Sequence, residues 1–337
     1  MDKATALAFS YPKAAGLLSK SFVKKRAQLL FQAESLADLW SLIFKEPAPL
    51  VPETILARQI EEKAFDNFLS QYVFFLDQYD KAPLILTDKI KRFEADNLKE
   101  IIDALCSGEK ECPHLLDLKD FSKINISAWP DLAKMTAGTD YEWLKSVPDL
   151  SEQQKVEFKI DLQLLRENWN AIEHCHGDDR AAHEKLFLDE FIIRNIIWAL
   201  RLELYYEMPR EQIIENLFYV TEKADKDDPV AGPAIKVLSF DVNNYSDWEN
   251  WKYAEFLNPH ENGELWRVDP VWIERKYAGH QAVLADHIFH QYTMEDAALA
   301  AWFKLKSYEL TCIRTAVEGL RLNVGSEEAM EAVGING

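Results

Sequence analysis

The strongest constraint on this chain is that it repeats itself. Residues 195–214 read NIIWALRLELYYEMPREQII, and residues 312–331 read CIRTAVEGLRLNVGSEEAME. Offset by 117 positions, Ile196 meets Ile313, Leu200 meets Val317, and Met208-Pro209 meets Gly325-Ser326. Each copy is an apolar-periodic stretch, a break, and a second short helical start rich in acids. A fainter third copy begins at Asn97 with NLKEIIDAL, where Leu98 and Ile102 take the same two apolar places. An early segment precedes each copy in the same order: ESLADLWSLI, SAWPDLAKM and NYSDWENWKY. Two stretches read as linkers because Ser, Gly, Pro and charge crowd together in them: SGEKECPHLLDLKDF at 107–121 and KADKDDPVAGPAIKV at 223–237. They begin 116 positions apart. Self-similarity at a long, nearly fixed period marks an internal duplication.

Between the breaks the apolar period is helical. Residues 16–45, 52–76, 83–105, 152–175 and 187–220 all give helical readings, and Leu98, Ile101, Ile102 and Leu105 line one helix face. Ser35 is placed to cap SLADLWSLI. With only 11 glycines and 13 prolines in 337 residues, an all-β sandwich or barrel lacks the turn chemistry it needs. The expected fold is all-α, with three degenerate helical-bundle repeats at 1–115, 116–230 and 231–337. Helices of 20 residues span about 30 Å, so lobes arranged around a pseudo-threefold axis form a squat ring or funnel.

The net charge of −19 excludes an extended nucleic-acid surface, which needs a basic stripe, and suits a basic protein partner. Cys106, Cys112, Cys175 and Cys312 are scattered and form no CxxC pair, as expected of reduced cytosolic thiols. The N-terminus lacks the apolar core of a signal peptide, and FIIRNIIWALRLELYY is broken by Arg194, Arg201 and Glu203 before it reaches membrane-spanning length. The expectation is a soluble chain that reaches a membrane only through partners.

No GxxxxGK[ST], GxGxxG, GxSxG or HExxH occurs. The densest chemical cluster is EHCHGDDRAAH, with Glu173, His174, Cys175, His176, Asp178, Asp179 and His183. All are possible metal ligands, but adjacent side chains on a helix diverge and Gly177 reads as a helix end, so the plain reading is a solvated turn. His280, His287 and His290 share one helix face, which alone supplies at most part of a metal site. An all-helical metal-dependent enzyme using either histidine triplet is the chemical alternative, and a stand-alone helical scaffold is the structural one. No catalytic, cofactor or metal residue is assigned. Trp248, Trp251, Tyr253 and Phe256 read as core. Arg194, Arg201, Arg314, Glu318 and Arg321 interrupt the apolar pattern of the repeat helices, as a solvated face or a partner surface.

The repeat units resemble the family of V-type (vacuolar/archaeal-type) ATPase components designated C, and d in eukaryotic enzymes. Cys312-Ile313-Arg314, Gly325, Ser326 and Glu327-Glu328 are similar to that family's C-terminal helix–turn–helix. Asn195-Ile196, Leu200-Arg201, Tyr206, Pro209 and Glu211 are similar to its middle copy, and Gly138-Thr139 with Tyr141 to the stretch before it. Cys312 stands where Asn is typical, Glu318 stands where the middle copy has Arg201, and the first copy lacks that Arg. The resemblance implies a non-catalytic rotor part without a cofactor of its own. Family members are three-lobed funnels on the cytoplasmic face of the membrane rotor ring. They receive the central-stalk shaft and transmit torque for ion transport.

Overall fold

Ser35 begins the first of three comparable segments. Its hydroxyl accepts the Asp38 N–H at 3.1 Å and starts helix α2, Leu36–Phe44. Asp131 caps α5, Leu132–Met135, and Asn244 caps α11, Tyr245–Trp248, by the same kind of side-chain acceptance. In each segment an Asp is followed by a buried apolar residue: Leu39, Leu132 or Trp248. A long helix follows each cap: α3, Glu53–Leu76; α6, Gln153–Glu173; and α12, Pro270–Gln291. After it comes the repeat helix proper: α4, Leu84–Cys106; α8, Asp189–Tyr206; and α13, Asp296–Leu322.

The computed structural model describes residues 1–261 and 263–335 and contains no strand among them. The remaining helices are α1, Lys3–Leu18; α7, Gly177–His183; α9, Arg210–Glu215; α10, Ala231–Val237; and α14, Ser326–Ala332. A π-helical turn, Glu184–Leu188, joins α7 to α8 without a break.

Local expectations differ in four places. Residues 16–45 are not one helix: α1 ends at Leu18 and residues Lys24–Gln32 form a 3-10 helix. The second linker ends in α10, where Pro233 sits in the first turn and removes no helical hydrogen bond. Gly177 opens α7 instead of ending α6. The aromatic run at 248–256 is core, but only short helical turns form there.

The chain forms two compact units, one of Met1–Asp80 with His176–Gly337 and the other of Lys81–Cys175. Within them, three hydrophobic cores share one construction. In the smaller unit, Leu98 and Ile101 of α4 bury against Leu132, Met135 and Ile160 of the next copy's early segment and long helix. In the larger unit, Ile196 and Leu200 of α8 bury against Trp248, Phe256 and Ile273 of the copy after it. There too, Ile313 and Val317 of α13 bury against Leu39, Trp40 and Ile60, near the start of the chain. Each repeat helix therefore packs on the long helix of the following copy: α4 on α6, α8 on α12, and α13 on α3. The last pairing joins the two ends of the chain. These cores draw residues from both sides of 115 and of 230.

Candidate functional site

The repeat helices carry a polar position inside their apolar face. Asn97 and Asn195 are both buried. Asn97 Nδ2 donates to the Leu116 carbonyl and its Oδ1 accepts the Leu116 N–H, both at 2.8 Å. Asn195 treats Phe218 in the same way at 2.9 and 3.0 Å, and its Nδ2 also donates to the Val230 carbonyl at 3.1 Å. An amide side chain pairs with a backbone amide as another peptide would, so it satisfies linker groups that burial would otherwise leave unmet. The third copy has Cys312 at this place. There Tyr308, one turn earlier, donates from its hydroxyl to the Val333 carbonyl at 2.9 Å. Burial pushes the Cys312 thiol up to about 12, while the neighbouring Tyr308 hydroxyl acts in the opposite direction.

All three repeat helices end at a residue with positive φ: after α4 at Gly108 (72°), after α8 at Glu207 (49°) and after α13 at Asn323 (53°). Pro209 and Gly325 then open α9 and α14. The αL residue falls one position later in the middle copy than in the third, so the 117-residue register slips by one after the helix.

The five charged positions expected to face a partner all make surface pairs within the chain. Arg201 Nη2 lies 2.6 Å from Glu274, on α12. Arg314 Nε lies 3.2 Å from Glu61, on α3. Both pairs cross from a repeat helix to the next copy's long helix, as Lys99 of α4 does to Asp161 of α6. Arg194 is 3.8 Å from Glu190, and Arg321 is 2.6 Å from Glu318.

The histidine triplets do not assemble. Among the described residues, His174, His176, His280, His287 and His290 belong to no group of three potential metal ligands. His183 instead lies buried 3.2 Å from Asp179. Asp179 belongs to a polar knot that composition and spacing did not reveal. Lys3 Nζ lies 3.0 Å from Asp179, 2.9 Å from Glu295 and 3.1 Å from Asp296. Asp179 also accepts the Ala297 N–H at 2.9 Å, and Tyr79 donates to Asp296 at 2.8 Å. Burial alone would raise the Asp179 carboxyl, but His183 and Lys3 together hold it at about 2. Burial dominates for Asp296, whose carboxyl is raised. The knot ties the start of α1, the chain after α3, α7 and the start of α13.

A second buried acid rivets the loop between α9 and α10. Asp228 accepts the N–H groups of Val220 and Thr221 (both 2.9 Å), Val230 (2.9 Å) and Ala231 (2.7 Å), together with the Thr221 hydroxyl at 2.8 Å. Burial opposes its ionisation, and these donors outweigh that to lower its carboxyl. Asp179 and Asp228 thus hold backbone and pair with neighbouring side chains, as structural acids do. No described helix is long and apolar enough to cross a membrane.

Residues 13–332 match the family described as ATP synthase (C/AC39) subunit. The chain is also 25% identical over 313 residues to an uncharacterized protein of Treponema pallidum (strain Nichols), covering 92% of this chain and 91% of that one. The match over nearly the whole length includes all three repeat helices, their clamps and the core formed by the two ends: this chain belongs to the ATP synthase (C/AC39) subunit family, the C/d family of V-type ATPase components.

Proposed function

We propose that this protein is the non-catalytic central-rotor subunit of a V-type ATPase or ATP synthase, a socket between the central-stalk shaft and the membrane rotor ring that transmits torque for ion transport. The observation that carries the reading is the family match over residues 13–332. The all-helical triplication supports it, because three copies of one helical unit, linked late helix to next early segment, suit a body that grips an axial partner. On this reading the lobes 1–115, 116–230 and 231–337 form a funnel with pseudo-threefold symmetry. The chain sits peripherally on the cytoplasmic face of the membrane and has no catalytic site or cofactor of its own.

Arg194, Arg201, Arg314, Glu318 and Arg321 are the proposed partner-facing residues. Each is held in a surface ion pair, and such pairs are weak, typically ~0–1 kcal/mol. They can therefore be exchanged for a partner's charges at small cost. Capture of the purified shaft subunits and the detergent-solubilised rotor ring on the immobilised chain tests the proposal. Retention of at least one is expected, and failure to retain either contradicts it.

A further inference from the structure

The third core differs from the other two in how the chain reaches it. In those two, the repeat helix and its partner segment are sequence neighbours. In the third, residues near position 30 meet residues near position 315 across nearly the whole length of the chain, so closing this core costs more loop entropy than closing the other two. The N-terminal side is also locally weak. Residues Lys24–Gln32 form a nine-residue 3-10 helix, longer than such helices usually run. Lys24 and Lys45 bound the segment in the left-handed region, at φ 55° and 60°, where a side chain is strained. Between them α2 has only nine residues.

What holds this strap is a clasp from α12, α13 and the C-terminal tail. Glu309 of α13 is buried; it accepts the Phe22 N–H and pairs with Lys306. Lys306 donates to the Ser21 hydroxyl at 3.0 Å. Lys24 lies 2.5 Å from Asp286 on α12. The tail is fixed in turn by close backbone approach. A Cβ at Gly279 of α12 would come within 2.6 Å of the Gly334 carbonyl.

We propose that residues 22–45 are a latch that releases together with α14 and the tail, as one unit smaller than the whole fold, while α4 and α8 stay closed. A long 3-10 segment, two strained ends and a seam between the two ends of the chain place this unit at the low-stability end of the molecule. Its anchors are α3, α12 and α13, which stay in place. The inference does not depend on the proposed role in an ATPase.

Hydrogen-exchange mass spectrometry of the full chain tests it. Peptides covering 22–45 and 326–335 are expected to exchange in concert, about tenfold or more faster than peptides in 84–106 and 189–206. Glu309→Gln, which weakens the clasp by roughly one charged hydrogen bond, is expected to speed both latch regions about tenfold further. The α4 and α8 peptides should stay unchanged. If Glu309→Gln does not fold, Lys24→Ala should give the same paired acceleration at about two- to fivefold. The proposal is overturned if the strap is as protected as α8, if strap and tail respond separately, or if the variants accelerate all regions alike.

Discussion

At the scale of single residues, the fold turns on a side-chain amide doing a peptide's work. Asn97 and Asn195 each give the backbone ahead of them both a donor and an acceptor. Replacing either with Ala leaves a buried N–H and C=O unmet at about 1–3 kcal/mol each. Asn195→Ala should therefore lower the unfolding free energy by roughly 2–4 kcal/mol in urea titration. Tyr308→Phe, which removes a single bond to Val333, should cost only about 1 kcal/mol. Asp228→Ala removes the acceptor for five donors and should cost about 3 kcal/mol or more. Asp179 supplies one part of the pH dependence. Its carboxyl is held at about 2, below the ~3.9 of an unfolded chain. Its contribution is complete above that unfolded value and is lost as pH falls from ~4 towards 2. Asp179→Asn should flatten the fall in melting temperature across that window. An unchanged slope would show that the carboxylate is not linked to folding. The Asn positions were legible because both lie in register in the repeat. The Tyr308–Cys312 solution was not, since it moves the hydrogen bond one helical turn and changes the residue type. The Lys3–Asp179–Asp296 knot was not either, because its members come from distant segments with no common spacing.

At the scale of elements, one rule repeats: a repeat helix packs on the long helix of the following copy, and a surface ion pair marks the crossing. The Arg201–Glu274 pair sits at the surface with Arg201 half-buried and Glu274 exposed, so Arg201→Ala should change stability by less than about 1 kcal/mol. Contact between backbones is less forgiving. Gly279→Ala forces its Cβ into the Gly334 carbonyl and should cost about 1–3 kcal/mol while freeing the C-terminal tail to proteolysis. Wild-type protease resistance in that variant would contradict the close approach. The long helices were readable because 20 or more residues keep one apolar face. The stretch 24–32 shows apolar spacing of the same kind, yet Lys24 enters it in the left-handed region and the chain takes a tighter helix. The aromatic residues of 248–256 announced a core, but their burial is met by short turns and cross-chain packing rather than by one helix face.

At the scale of the whole molecule, the sequence period revealed three copies but not their partnership. Periodicity reports which residues are alike; it carries no information on whether a helix packs within its own copy or against the next. The three cores show that each repeat helix packs against the next copy, while α13 also packs along α12 of its own copy. Membership in the ATP synthase (C/AC39) subunit family makes this chain a component of a V-type ATPase complex. The most direct measurement is quantitative mass spectrometry of what co-purifies with the chain from native membranes under mild detergent. The account predicts the shaft and rotor-ring subunits of a V-type ATPase in fixed ratio to this chain. Recovery of the chain without them, from membranes in which that ATPase is intact, would contradict it.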